Sequence, residues 1–355
     1  MHNIVLFVKS INLVLLFSIG SIYIMEELKN IFTNGNGAII IDSLLGDKEH
    51  HILQIVFCLF FAIKTSSLLI LPDNEILEIT KFDFRKNKKK FNETTITSLN
   101  CLVPTKIDTN IISYILQKYI EPAFIYNKKE LDSSTAIIYF DNNRVFENHT
   151  EENVQSPLNY FKVVLSTHNF EKITIISSDN KNPIINELIN WNKNIEFIKT
   201  NYKETVEYLM SAKNIILGGT SLLANILILM SENAQHIFKC EFENDETVDI
   251  INTQKTLQQV FLNYTEQIIS PKENIYDGIK EVYVYKVTNY ITKNNWCYPY
   301  SLFQQNLLLN LSENNIVFYN IVKIPKKYSH NIGNNDVLNL TNNTFILWNS
   351  NNNVN

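Results

Sequence analysis

From Thr135 onward, short apolar runs alternate with longer amphipathic ones. Ala136–Phe140 (AIIYF) reads as a buried strand and Pro157–Ser166 as a helix. Ile173–Ser177 is the next strand, and Pro183–Trp191 a helix with its proline in the first turn. Ile195–Thr200, Lys203–Ala212, Asn214–Leu217 and Ser221–Met230 continue strand, helix, strand, helix, and Gln235–Cys240 closes the run. Strands separated by helices of this length predict right-handed crossovers and a parallel sheet covered on both faces. The expectation is an α/β, Rossmann-like domain over roughly residues 130–245. Ligands in such sheets bind at the carboxyl ends of the strands, near a switch point. The loops after Phe140, Ser177, Thr200 and Leu217 are therefore the places to look.

Upstream, His51–Lys64 (HILQIVFCLFFAIK) predicts an apolar helix and Leu68–Pro72 a buried strand, again an α/β order. Lys81–Thr97, basic and polar, reads as a solvated surface excursion, and helical spacing returns at Ile111–Ile120. The end of the chain is less regular. Val282–Val287 predicts a strand, Leu302–Leu309 a helix, and Asn331–Asn355 is an Asn-rich tail. A chain of 355 residues suits two domains, since single cores seldom grow past roughly 250–300 residues. We divide it into residues 1–30 as a leader or anchor, 31–130 as a first α/β domain, 131–330 as a second with a C-terminal extension, and 331–355 as the tail.

Residues 10–25 (SINLVLLFSIGSIYIM) are uncharged, with Lys9 before and Glu26 and Glu27 after them. That charge order predicts a membrane anchor with a cytosolic N-terminus, or a cleaved signal peptide. An anchor implies a single-pass type II protein of the Golgi or ER, and a cleaved signal implies secretion. A buried first helix is the plain alternative.

Composition narrows the chemistry. The net charge of −5 argues against a nucleic-acid partner. Glycine is scarce, 8 in the whole chain against ~7% in an average protein, and the only arginines are Arg85 and Arg144. Any loop that cradles a phosphate must be built with very few glycines. Cys58, Cys101, Cys240 and Cys297 show no metal-binding spacing, so no metal site is expected. Sequons are no more frequent than so much asparagine produces by chance.

Three strand-end loops carry candidate residues. Gly218-Gly219-Thr220-Ser221 pairs two of the glycines with two hydroxyls at a helix start, which suits a phosphate; the plain reading is a tight turn with a capping hydroxyl. Asp179 could accept hydrogen bonds from a base or sugar, and equally favours a turn. Arg144 offers a two-pronged fork for phosphate where lysine has taken nearly every other basic position. Glu147, His149, Glu151 and Glu152 are nearby titratable groups, none of them singled out as the base. No P-loop, GxSxG, HExxH or EF-hand pattern occurs.

In this order, the segments resemble a fucosyltransferase-like family of glycosyltransferases over roughly residues 38–310. AIIIDSLLGDKEHHILQIVF is similar to the family's strand, glycine-rich turn and Gln-containing helix, with Gly46 and Gln54 in the matching places. AIIYFDNNRVFENHTEENVQSPLNYF looks like the stretch in which a strand ends in His-x-Arg-x-Gly-Asp before a Gln-x-Pro-Leu-x-Tyr helix start. Gln155, Pro157, Leu158 and Tyr160 match; at the strand end Tyr139, Asp141, Asn143 and Arg144 stand where the family has His, Arg, Gly and Asp. The blocks ITIISSDNKNPIINELI, YLMSAKNIILGGTSLLANILILMS and NWCYPYSLFQQNLLL resemble donor-domain blocks. The resemblance implies two Rossmann-like domains of GT-B type and a nucleotide-sugar donor, GDP-linked in the family. It also implies a glycan acceptor, no metal or other cofactor, and donor contacts at Gly46, Asp179, Gly218, Gly219, Thr220 and Ser221. The family's Arg neutralises the departing phosphate; with Asp141 in its place, the chain is either an active transferase helped by Arg144 or a degenerate member that binds glycan or protein.

Overall fold

The structure, a computed structural model, describes residues 38–41, 43–44, 46–85, 95–97, 109–141, 154–219, 221–242, 276–290 and 302–328. The chain divides into two compact units, Met1–Ile125 with Asn331–Asn355, and Tyr126–His330.

The second unit is built on a seven-stranded sheet. Its strands are β5 (Thr135–Tyr139), β6 (Lys172–Ser177), β7 (Ile195–Lys199), β8 (Asn214–Leu217), β9 (His236–Phe242), β10 (Tyr276–Val287) and β11 (Ile316–Tyr328). They lie in the order β11-β10-β9-β8-β5-β6-β7. Every neighbouring pair is parallel except β10 and β11. The protein is thus α/β with a mostly parallel sheet flanked by helices. Parallel strands need crossovers, and helices α3 (Leu158–Thr167), α4 (Pro183–Trp191), α5 (Tyr202–Ser211) and α6 (Leu222–Met230) supply them. From β5 the chain moves outward through β6 to β7, then returns to lay β8 on the other side of β5. The reversal between β5 and β8 is the switch point that opens a crevice at the strand ends.

Burial explains why these runs are strands. All five residues of β5 are buried, and Ile137, Ile138, Ile175, Ile215 and Ile216 are completely so. Each such side chain contributes roughly 1.5–3 kcal/mol on leaving water. Alternation sends Ala136, Ile138 and Phe140 into one core with Tyr160, Phe161 and Val164 of α3 and Ile184, Ile185 and Leu188 of α4. Leu308, from helix α7 (Leu302–Asn310), joins that core. Helix α6, apolar all round, is buried almost throughout. The helix starts are fixed by side chains: Asn182 caps α4, Asn201 and Glu204 form a capping box on α5, and Ser221 caps α6. Each such cap contributes about 1 kcal/mol.

The first unit holds a four-stranded sheet in the order β3-β2-β1-β4, made of β1 (Ala38–Ile40), β2 (Leu68–Ile70), β3 (Lys81–Asp83) and β4 (Thr95–Thr97). Helix α1 (Lys48–Thr65) connects β1 to its parallel neighbour β2, and Gly46 turns into it at φ +85. Helix α2 (Thr109–Ile115) runs on as a π-helical turn, Leu116–Ile120, and a short 3-10 turn at Glu121–Ala123. The surface excursion expected over Lys81–Thr97 is corrected here: both of its ends are strands of this sheet. Arg85 folds back on Asp83 with two side-chain contacts of 2.9 and 2.8 Å, which lets a charged stretch lie along a sheet edge.

The apolar stretch 10–25 and the tail 331–355 lie outside the described residues. Among the described residues no helix is long and apolar enough to cross a membrane.

Candidate functional site

Three polar segments meet at the switch point, and the sheet geometry decides which. The end of β5 delivers Tyr139 and Asp141, two apart and so on one face of the sheet. The end of β8 delivers Gly218, Gly219 and, at the start of α6, Ser221. The end of β6 delivers Ser177 and, at the start of α4, Asn182.

Ser221 and Asp141 touch. The Ser221 hydroxyl donates to Asp141 Oδ2 at 3.1 Å, and its oxygen accepts the Ala224 N–H at 3.3 Å. One hydroxyl thus caps the helix and holds a carboxylate over the helix N-terminus, where the free N–H groups and the helix dipole favour negative charge. Tyr139 lies against the same pair. Burial first, and then the charge of Asp141, push its phenol well above the usual range, with a Ser221 hydrogen bond in opposition. Tyr139 is therefore a neutral wall of the site at any physiological pH.

On the other side of β5 the two glycines are packed by the chain itself. A Cβ on Gly218 would lie 2.4 Å from the Phe140 ring and 2.5 Å from the Tyr139 carbonyl oxygen. On Gly219 it would lie 2.4 Å from the Val154 carbonyl oxygen. Gly219 makes an antiparallel bridge to Gln155, and the Gly218 carbonyl accepts from the Ser156 N–H at 2.9 Å and from the Gln155 amide side chain. Gln155 Oε1 accepts from Asn182 Nδ2 at 3.0 Å, Asn182 Oδ1 accepts the Ile184 N–H at 3.0 Å, and the Tyr290 hydroxyl donates to the Gln155 backbone carbonyl at 2.8 Å. Ser177 closes the set by donating to the Phe140 carbonyl at 2.9 Å. The result is a largely buried polar seam that ties the ends of β5, β6 and β8 together.

The sequence-based candidates divide as follows. Gly218, Gly219 and Ser221 come together with Asp141 at the switch point. Asp179 makes an Asx turn: its Oδ1 accepts the Lys181 N–H at 2.9 Å, and its Oδ2 lies 3.9 Å from Lys181 Nζ. Gly46 belongs to the other unit, where it starts α1. Arg144 and Thr220 lie outside the described residues, as do Glu147, His149, Glu151 and Glu152. Four members of the seam, Ser156, Ser177, Asn182 and Tyr290, were not singled out in advance. Asn182 carries a visible signal, since an Asn immediately before a first-turn proline marks a helix cap. Ser177 carries none, being one more small residue at a strand end.

Among the described residues no group of three His, Cys, Asp or Glu side chains gathers to hold a metal ion. Chemically, the site offers a carboxylate, a hydroxyl and a helix N-terminus at one strand end. The carboxylate can accept a proton or hydrogen bonds from a hydroxyl ligand; the helix N-terminus can hold an anion once that carboxylate moves aside. No protein-family model, no curated protein and no solved structure matches the chain.

Proposed function

We propose that the chain is a metal-independent glycosyltransferase of the fucosyltransferase-like type, built from two Rossmann-like domains. The second domain binds the nucleotide-diphosphate donor, GDP-linked by resemblance, and the acceptor is a glycan hydroxyl. The observation that carries this reading is the strand reversal between β5 and β8, which brings Asp141 and Ser221 within 3.1 Å at the start of α6. In the transfer, an acceptor oxygen attacks the anomeric carbon, the bond from that carbon to the diphosphate breaks, and the acceptor proton passes to a base. The N-terminus of α6, the Ser221 and Thr220 hydroxyls and Arg144 stabilise the negative charge that develops on the departing diphosphate. In this proposal residues 10–25 anchor the protein as a single-pass type II membrane protein of the Golgi or ER, or are cleaved from a secreted one.

A second reading is favoured by one specific observation. Asp141 already accepts the Ser221 hydroxyl's hydrogen bond, and the space beside Gly218 and Gly219 is filled by Phe140 and Val154. A site closed in this way suits a degenerate member that binds glycan or protein without turnover. A melting-temperature screen with millimolar GDP, UDP and CMP tests nucleotide binding. Turnover of a labelled nucleotide sugar then separates the two: transfer eliminates the degenerate reading, and the absence of any nucleotide effect eliminates the transferase.

A further inference from the structure

Ser156 and Tyr160 frame the start of α3, one just before Pro157 and the other in the first turn. Both residues are completely buried. Among the described residues, neither Ser156 Oγ nor the Tyr160 hydroxyl has a hydrogen-bond partner. Buried hydroxyls are almost always bonded, to protein or to ordered water, because an unbonded one gives up its hydration for nothing in return. Two such groups together would offset a large share of a domain's small net stability.

The sheet brings the two hydroxyls to the same place. The Ser156 N–H donates to the Gly218 carbonyl at 2.9 Å, at the end of β8. In the parallel register Ile216 stands beside Phe238, so two residues further on Gly218 is level with Cys240 of β9. Cys240 in turn lies directly opposite Tyr285 of β10. The Tyr160 ring packs edge-on against the Tyr285 ring with 5.7 Å between centroids, and Tyr160, Cys240 and Tyr285 share one core cluster. The electrostatics agree with this placement. Burial first, then Cys240 and Tyr285, pushes the Tyr160 phenol well above its usual range. Burial likewise pushes the Cys240 thiol up, against a favourable contact from Ser156. A phenol, an alcohol and a thiol, all neutral at physiological pH, thus converge where β8 and β9 end.

We propose that an internal water molecule is bound at this point and joins the two hydroxyls: the Tyr160 hydroxyl donates to it, and it donates to Ser156 Oγ. The Ser156 proton is then left for the Cys240 sulfur, a weak acceptor. Both hydroxyls are shut off from solvent, and the converging groups are polar and uncharged. That suits water and suits neither an ion nor an apolar ligand. Ser156 holds the Gly218 turn through its backbone and the water through its side chain. The water is therefore part of what fixes this strand end.

Removing single oxygen atoms tests the site, read by urea unfolding of the full-length protein. With the water bound, Tyr160→Phe and Ser156→Ala each lower the folding equilibrium constant about fivefold. The double variant lowers it by clearly less than the product of the two, because the first removal already releases the water. Without the water, Tyr160→Phe merely deletes an unbonded hydroxyl, and the constant stays the same or rises. That result overturns the proposal, as do two effects that simply multiply. Should a variant fail to fold, a high-resolution crystal structure of the wild type decides instead. One solvent peak within hydrogen-bonding distance of both Tyr160 Oη and Ser156 Oγ supports the site, and no peak there overturns it.

Discussion

The Ser221 hydroxyl donates to Asp141 Oδ2 at 3.1 Å and so joins the end of β5 to the start of α6 across the switch point. This contact both stabilises the fold and sets the charge of the site. Ser221→Ala removes the helix cap and is expected to cost about 1 kcal/mol, or about 2–4 °C in melting temperature. Asp141→Asn keeps an oxygen that can accept the hydroxyl and removes the charge that opposes a phosphate. It is therefore expected to lose the charge's interaction with the helix N-terminus, about 0.3–1 kcal/mol of stability, and to tighten GDP binding in calorimetry by about tenfold. Weaker binding in Asp141→Asn would assign the carboxylate to the ligand's hydroxyl groups instead.

Gly218 and Gly219 are needed by packing before any ligand arrives. Gly218→Ala drives a methyl group into the Phe140 ring and the Tyr139 carbonyl, and Gly219→Ala drives one into the Val154 carbonyl. Each should lose about 1–3 kcal/mol in denaturant unfolding of the ligand-free protein. A variant of wild-type stability that fails only to bind nucleotide would show that the glycine serves the ligand alone.

The buried seam makes a separate prediction. Gln155→Ala leaves Asn182 Nδ2 without its acceptor inside a site closed to water. The expected loss is about 1–3 kcal/mol, and Gln155→Glu should be worse because it buries a charge there. Equilibrium unfolding in urea reads both.

Much of the second unit was legible in the chain because its central strands β5, β6 and β8 are buried on both faces. Pro183–Trp191 and Asn214–Leu217 agree with the pattern to the residue, and the other strands and helices of the run differ from it by a residue or two at their ends. Those differences arise because caps, not apolar residues, set the ends: Asn201 and Ser221 stand just outside helices that the apolar pattern cannot delimit. The strand β11 was not legible. It runs at the sheet edge, exposes Val317, Phe318, Tyr319 and Ile321, and carries Pro325 and three lysines. Edge strands carry such residues to prevent further pairing, and that removes the alternation by which a strand is recognised. At the site, composition pointed to Gly218 and Gly219. That their room is taken by Phe140 and Val154 depends on long-range packing, which no local pattern encodes.

His168, at the end of α3, lies against the rings of Phe238 at 4.6 Å and Tyr283 at 5.2 Å. Burial first, then the charge of His236, lower its basicity. The unfolded chain therefore takes up this proton before the folded one does. The associated stability is present above about pH 6.5 and is lost as pH falls through the lower folded value. Melting temperatures from pH 7.5 to pH 5 should fall less steeply in His168→Phe than in the wild type; parallel curves would remove His168 from the acid response.

The central claim is that the β5–β8 switch point is a donor-nucleotide site, and thermal unfolding with GDP tests it most directly. At a GDP concentration of about ten times the dissociation constant, binding adds about 1.4 kcal/mol. The melting temperature of the wild type should then rise by about 3–5 °C, and that of Ser221→Ala by much less. If neither GDP nor any other nucleoside diphosphate raises the wild-type melting temperature at millimolar concentration, the claim is contradicted.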